Sequence, residues 1–159
     1  MARTKGDTFR VERSTTIDAP AERIFEWLND FRRWTEWSPW EDVDPDLRRS
    51  YDGPQTGVGS GYAWQGNRKA GSGRMEITGA DHPRGIDLRI DFLKPFRSTN
   101  QVHFELAPTA AEGPTRVTWS MTGPKTLGTK LMGLFSSMDK MIGPDFEKGL
   151  GRLKAVAER

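Results

Sequence analysis

The final third of the chain carries apolar residues at helical spacing. Across KLMGLFSSMDKMIGPDFEKGLGRLKAVAE, residues Met132, Phe135, Met138, Ile142, Phe146, Leu150, Leu153 and Ala157 recur every three or four positions, the period of a helix that buries one face. Gly143-Pro144 interrupts the pattern. Proline has no N–H and its ring clashes with the preceding turn, so the sequence predicts a kink or a new start there, with the main helix running from about Pro144 to the end. Ahead of this segment the pattern is alternation. Phe9 to Ile17 reads as a first strand, and further strands are predicted at Leu47–Tyr51, Gly61–Gly66, Gly73–Thr78, Ile86–Leu93, Ser98–Ala107 and Thr115–Met121. Their separators, such as DGPQTGVGSG, GNRKAG and APTAAEGP, have turn composition, so antiparallel hairpins are expected. Between the first two strands, DAPAERIFEWLND reads as a short helix with Asp18 as cap, Pro20 in the first turn, and Ile24, Phe25 and Leu28 on its buried face. Asn29-Asp30 ends it, and FRRWTEWSPW follows as a second short helix or turn.

Alternation also assigns faces. Tyr62 and Trp64, then Met75 and Ile77, Ile86, Leu88, Ile90 and Phe92, Asn100, Val102, Phe104 and Leu106, and Val117, Trp119 and Met121 fall on one side. Arg74, Glu76, Asp87, Arg89, Asp91, His103, Glu105, Arg116 and Thr118 fall on the other, a mixed-charge set suited to cross-strand pairs in water. A sheet whose apolar face curves around one amphipathic helix can enclose an apolar cavity, which points toward binding of a hydrophobic ligand.

Composition narrows the alternatives. A chain of 159 residues is long enough to bury a core and is expected to form one domain, with residues 1–8 as a flexible tail. Lys plus Arg (24) against Asp plus Glu (22) gives +2 with both signs interspersed, too small an excess to argue for nucleic acid or an anionic membrane. The absence of cysteine excludes disulfides and thiolate chemistry. No apolar run has the length of a spanning helix, and MARTKGDTFR lacks a signal-peptide core, so a cytoplasmic protein is expected.

The segments VERSTTIDAPAERIF, WTEWSPW, WQGN, GSGRMEI, FLKPFRSTN, VTWSMTG and MDKMIGPDFEKGLGRLK, in that order, resemble the START-like (SRPBCC) superfamily of polyketide cyclases, dehydrases and lipid-transfer proteins. The resemblance covers nearly the whole chain and is strongest to a bacterial branch. It implies an α+β helix-grip fold: a seven-stranded antiparallel sheet wrapped around a long C-terminal helix, with two small helices closing one end. It does not imply catalysis, because that scaffold carries binders, transporters, chaperone co-factors and enzymes.

Candidate pocket residues follow from the faces. Trp34, Trp37 and Trp40 form either an aromatic gate at the mouth or a plug of the core. Trp64 and Trp119 serve as core or as pocket wall, together with Met75, Ile77, Leu88, Ile90, Phe92, Phe104 and Met121. Met132, Phe135, Met138 and Met141, with Ile142, offer an adaptable apolar stripe that fits core or ligand equally. Tyr62 and Asn100 are the inward polar exceptions, placed to orient a ligand or to satisfy backbone and water. Arg13 falls inward by alternation, so it either anchors a ligand carboxylate or is turned outward by a bulge.

Catalytic candidates are few. His103 falls on the outer face and His82 in a turn, and Asp139 and Asp145 do not share a helix face. GVGSG precedes no helix, and no residue cluster has metal-ligand spacing. The expectation is a cofactor-independent protein that binds a small hydrophobic molecule. A cyclase or dehydratase using the same pocket, and a chaperone co-factor-like interaction module, are the alternatives. Oligomeric state is left open.

Overall fold

The computed structural model describes residues 8–95, 97–111, 113–124 and 138–159, with Met138 described by its backbone alone. The expected tail up to residue 7, together with Met132 and Phe135 and the side chain of Met138, lies outside the described residues.

All of the predicted strands form. They are β1 (Thr8–Ile17), β2 (Arg48–Asp52), β3 (Gly61–Gln65), β4 (Ser72–Asp81), β5 (Gly85–Lys94), β6 (Ser98–Pro108) and β7 (Thr115–Pro124). They make one antiparallel seven-stranded sheet in the order β1-β7-β6-β5-β4-β3-β2. Consecutive strands from β2 to β7 are hairpin neighbours, and β1 pairs with the last strand. The alternation holds: Ile77, Ile86, Leu88, Phe104 and Val117 are buried, while Asp87, His103, Glu105 and Arg116 are exposed. β4 runs further than alternation indicates because a register shift between Ile77 and Gly79 lets pairing continue to Asp81. Gly53, at φ +71, opens the β2–β3 turn where a Cβ would overlap the carbonyl of Gly59.

Helix α1 (Ala21–Leu28) buries Ala21, Ile24, Phe25 and Leu28. The cap differs from expectation: Pro20 occupies the N-cap without a side-chain hydrogen bond, and the Asp18 N–H instead donates to Glu158 Oε2 at 2.8 Å. Asp30 caps the following 3-10 helix, Phe31–Glu36, by accepting from the Arg32 N–H at 2.9 Å.

The C-terminal helix α2 (Met138–Ala157) runs through Pro144 without a new start, a correction to the sequence expectation. Pro144 is the seventh residue of this helix, so it removes the N–H that would have bonded the Lys140 carbonyl, and the helix continues past that missing bond. The helix lies along β1 and touches α1 and the 3-10 helix. Phe146, Leu150 and Leu153 are buried against the sheet. The Phe146 ring stacks on Trp119 with centroids 4.0 Å apart and planes 5° apart, and Phe104 stacks behind Trp119 at 5.0 Å. Gly149 permits this approach, since a Cβ there would sit 2.9 Å from both the Trp119 ring and Pro39.

Arg13 resolves differently from either alternative. The β1–β7 register passes through Arg13↔Trp119 unbroken, so no bulge turns it away. Its guanidinium clasps α2, donating to the two carboxylate oxygens of Asp139 at 2.7 and 2.9 Å and to Glu147 at 3.3 Å. That contact holds the Asp139 carboxyl below its usual range. A Cβ on Gly143 would overlap the guanidinium, so the glycine ahead of Pro144 makes room for the clasp.

Phe146→Ala is expected to cost about 3–5 kcal/mol of folding stability, the range for deleting a buried aromatic ring. Urea unfolding measures it, and a loss below about 1 kcal/mol would mean that the stack does not hold the helix in place.

Candidate functional site

Where α2 rests on β1 and β7, the far side of the curved sheet stays uncovered by the helix, and a cavity of about 230 Å³ lies between them. Its walls come from Tyr62 and Trp64 of β3, Met75 of β4, Leu88, Ile90 and Phe92 of β5, Val102 of β6, Trp119 and Met121 of β7, and Ile142 and Phe146 of α2. Trp34 closes the inner end, and the loop after the 3-10 helix contributes Ser38, Trp40, Glu41 and Leu47. Lys69, Ala70, Lys94 and Pro95 complete the lining from two neighbouring strand connections. Trp40 (38% exposed), Lys69, Lys94 and Pro95 are open to solvent, and they mark the mouth.

The three tryptophans separate. Trp37 is fully buried among Trp34, Phe104 and Trp119 and belongs to the core, not to a gate. Trp34 is buried too, with its indole N–H donating to the Leu28 carbonyl at 3.0 Å, but one side of it faces the cavity. Trp40 stands at the rim, edge-on to Trp119 at 5.8 Å and to Phe146 at 6.2 Å. Trp64 lies over Gly73 of β4, its ring 2.6 Å from where a Cβ would stand, and donates to the Ala70 carbonyl at 3.0 Å. It therefore both walls the cavity and fixes the β3–β4 connection.

Several expected residues lie elsewhere. Ile77 and Phe104 are core side chains that do not reach the cavity. Asn100 is buried but occupied: its Oδ1 accepts from Ser98 at 2.9 Å, its Nδ2 approaches Met121 Sδ at 3.7 Å, and it packs against Gly123. Tyr62 does line the cavity, and burial pushes its hydroxyl pKa well up, so it stays protonated. Met141 is half-buried on α2 and is not part of the lining.

Loop residues were missed by alternation because a loop has no period from which to read a side chain's direction. Glu41 is the notable one. Its carboxylate reaches the cavity wall with a side chain only 13% exposed, and Arg49 binds it through Nε at 2.9 Å and through Nη2. The histidines lie away from the cavity: His103 pairs with Asp87 at 2.7 Å on the solvent face, and His82 sets its ring edge against Phe25. Burial raises the Asp145 carboxyl, but Asp145 does not line the cavity. No group of three or more metal-ligating side chains occurs among the described residues.

The sequence matches the family described as "Polyketide cyclase / dehydrase and lipid transport" over residues 8–158. The chain belongs to this family. No curated protein matches it. Among solved structures, the ginseng major latex-like protein 151 from Panax ginseng superposes with a TM-score of 0.67 at 12% identity, covering 96% of this chain and 99% of that one. Protein CV1439 from Chromobacterium violaceum gives 0.64 at 13% identity, covering 96% and 99%. The di-domain ARO/CYC BexL of the BE-7585A biosynthetic pathway gives 0.64 at 16% identity, covering 96% of this chain and 50% of that one. At these identities the likeness is one of fold, and it confirms the helix-grip arrangement. Among the described residues no helix is long and apolar enough to cross a membrane.

The cavity loop is fastened to α2 by Arg152, which grips Asp42 through Nη1 and Nη2 at 2.9 and 2.8 Å and also donates to the Ser38 carbonyl at 3.1 Å. Chiefly through these hydrogen bonds, Asp42 titrates at about 2 instead of 3.8. A lowered folded-state pKa means that the tie is at full strength above 3.8 and is lost as pH falls toward about 2. Arg152→Met is therefore expected to flatten the decline in melting temperature over that acid window. Superimposable profiles for the variant and the unaltered protein would show that the tie does not stabilise the fold.

Proposed function

We propose that the protein binds a small hydrophobic molecule in the cavity between sheet and α2, holding it without turning it over. The observation that carries this reading is the wall itself: aromatic and aliphatic side chains from five strands and the helix, with its one described carboxylate already engaged by Arg49. Affinity would come from apolar burial, at about 25 cal/mol per Å² removed from water. Size limits the ligand. An apolar cavity of about 150 Å³ accepts benzene and drug-sized ligands fill about 300–1,000 Å³, so 230 Å³ suits one or two fused rings or a medium-length chain. An interaction-module role is less supported, because the large exposed apolar side chains among the described residues, Trp40, Val58 and Leu93, sit on three separate segments.

The neutral fluorophore N-phenyl-1-naphthylamine is expected to brighten on binding and to be displaced by unlabelled naphthalene. Ile90→Trp, which fills the cavity from β5, is expected to lower probe affinity at least tenfold while keeping the far-UV circular dichroism spectrum. A wild-type protein that takes up no probe, or a variant that takes it up as well, would defeat the proposal.

One observation favours a second reading, that of a cyclase- or dehydratase-type enzyme: Glu41 places a carboxylate in the wall beside the protonated Tyr62. Deuterium uptake from D2O into 2-tetralone distinguishes the two. Binding alone predicts no acceleration over buffer, whereas acceleration that disappears in Glu41→Gln would make the protein an enzyme.

A further inference from the structure

We propose that the cavity selects an amphipathic anion: a ring or short chain enters the apolar interior while its acidic group stays at the mouth between Lys69 and Lys94. This rests on the binding reading above and adds to it the charge of the ligand.

Two cations in the lining of an otherwise apolar cavity call for an explanation, and the local structure shows how they come to be there. Lys69 lies in the β3–β4 connection, which is closed by the Gly66 N–H donating to the Gly71 carbonyl at 2.9 Å and pinned by the Trp64 indole on Ala70. Lys94 ends β5, opposite Ser72 at the foot of the same connection. Gly71, at φ +63, lies so close that a Cβ would overlap the Lys94 carbonyl, so the two rims are held side by side.

Neither lysine has a carboxylate within ion-pair distance among the described residues. The nearby acids are engaged elsewhere. Glu41 is bound by Arg49, Asp91 by Arg89 and Thr99, and the buried Asp44 accepts the N–H groups of Asp46 and Asn67 at 2.9 and 2.7 Å. Most other cations of the sheet are paired: Arg10, Arg13, Arg49, Arg74 and Arg89 each grip an acid, and Arg116 donates to Ser14. Arg68 and Arg97, exposed on the same two connections, likewise lack a described acidic partner. Unpaired positive charge is thus gathered at the rim of a low-dielectric cavity, where the field is focused on whatever enters. An acid with an apolar body satisfies both parts at once. Its ring or chain leaves water, and its charge remains solvated between two flexible ammonium groups.

The test uses two probes with one apolar body, 1-anilinonaphthalene-8-sulfonate and uncharged N-phenyl-1-naphthylamine, titrated into the intact protein. The sulfonate is expected to bind on the order of tenfold more tightly at low salt, the size of two exposed ion pairs acting together. Its advantage should shrink with added sodium chloride and disappear in the double variant Lys69→Gln with Lys94→Gln, where the sulfonate loses far more affinity than the neutral probe. Equal affinities in the unaltered protein, or an advantage that survives the double variant, would overturn the inference and leave hydrophobic binding standing. Failure of both probes to bind would remove the binding reading itself. Ile90→Trp should weaken both probes together, and a sulfonate that ignores that change would be binding outside the cavity and would overturn the inference as well.

Discussion

The structure depends on a short column of aromatic rings. Phe104, Trp119 and Phe146 stack in sequence from β6 through β7 to α2, and this column sets how closely the helix approaches the sheet and along which strands it lies. Because rings resist compression, they act as a spacer as much as a contact. On the β1 side the helix is drawn down onto the sheet. On the β3–β5 side the sheet curves away and the space between is left to the cavity.

Polar contacts fix the helix in register without entering that space. Arg13 clasps Asp139 in its first turn and Glu147 at mid-length, Arg152 holds Asp42 and Ser38 from its last third, and Lys154 donates to the Thr16 carbonyl near its end. Partly exposed ion pairs of this kind add little stability each, and their value lies in geometry. They prevent the helix from sliding along an apolar face that would tolerate several positions.

Much of this was legible in the sequence, and the limits have physical causes. Strand faces can be read because the side-chain period is two, so alternation alone puts Tyr62, Trp64, Met75, Ile90 and Phe92 on the concave side. Alternation gives direction and not depth: Ile77 and Phe104 point inward as expected yet end in packed core. Asn100 points inward and spends its amide on Ser98 and Met121, a neighbourhood set by the register and by Gly123. Alternation puts Arg13 inward, but its partner lies on a helix far along the chain, which no local pattern reveals. Glu41, Leu47, Lys69 and Pro95 line the cavity from connections without periodicity, where side-chain direction depends on tertiary contacts alone.

The allocation of roles across the sheet has an evolutionary consequence. Each strand from β3 to β7 offers inward positions to the cavity, while outward positions of β4, β5 and β6 carry charge pairs, and the helix is secured at the β7 edge of the cavity by Trp119 and Phe146 and elsewhere by arginines. Substitutions at the inward positions of the cavity half can therefore reshape the chamber without disturbing solubility or the seating of the helix. Ligand preference on this scaffold is free to drift or be redesigned while the fold stays under independent constraint.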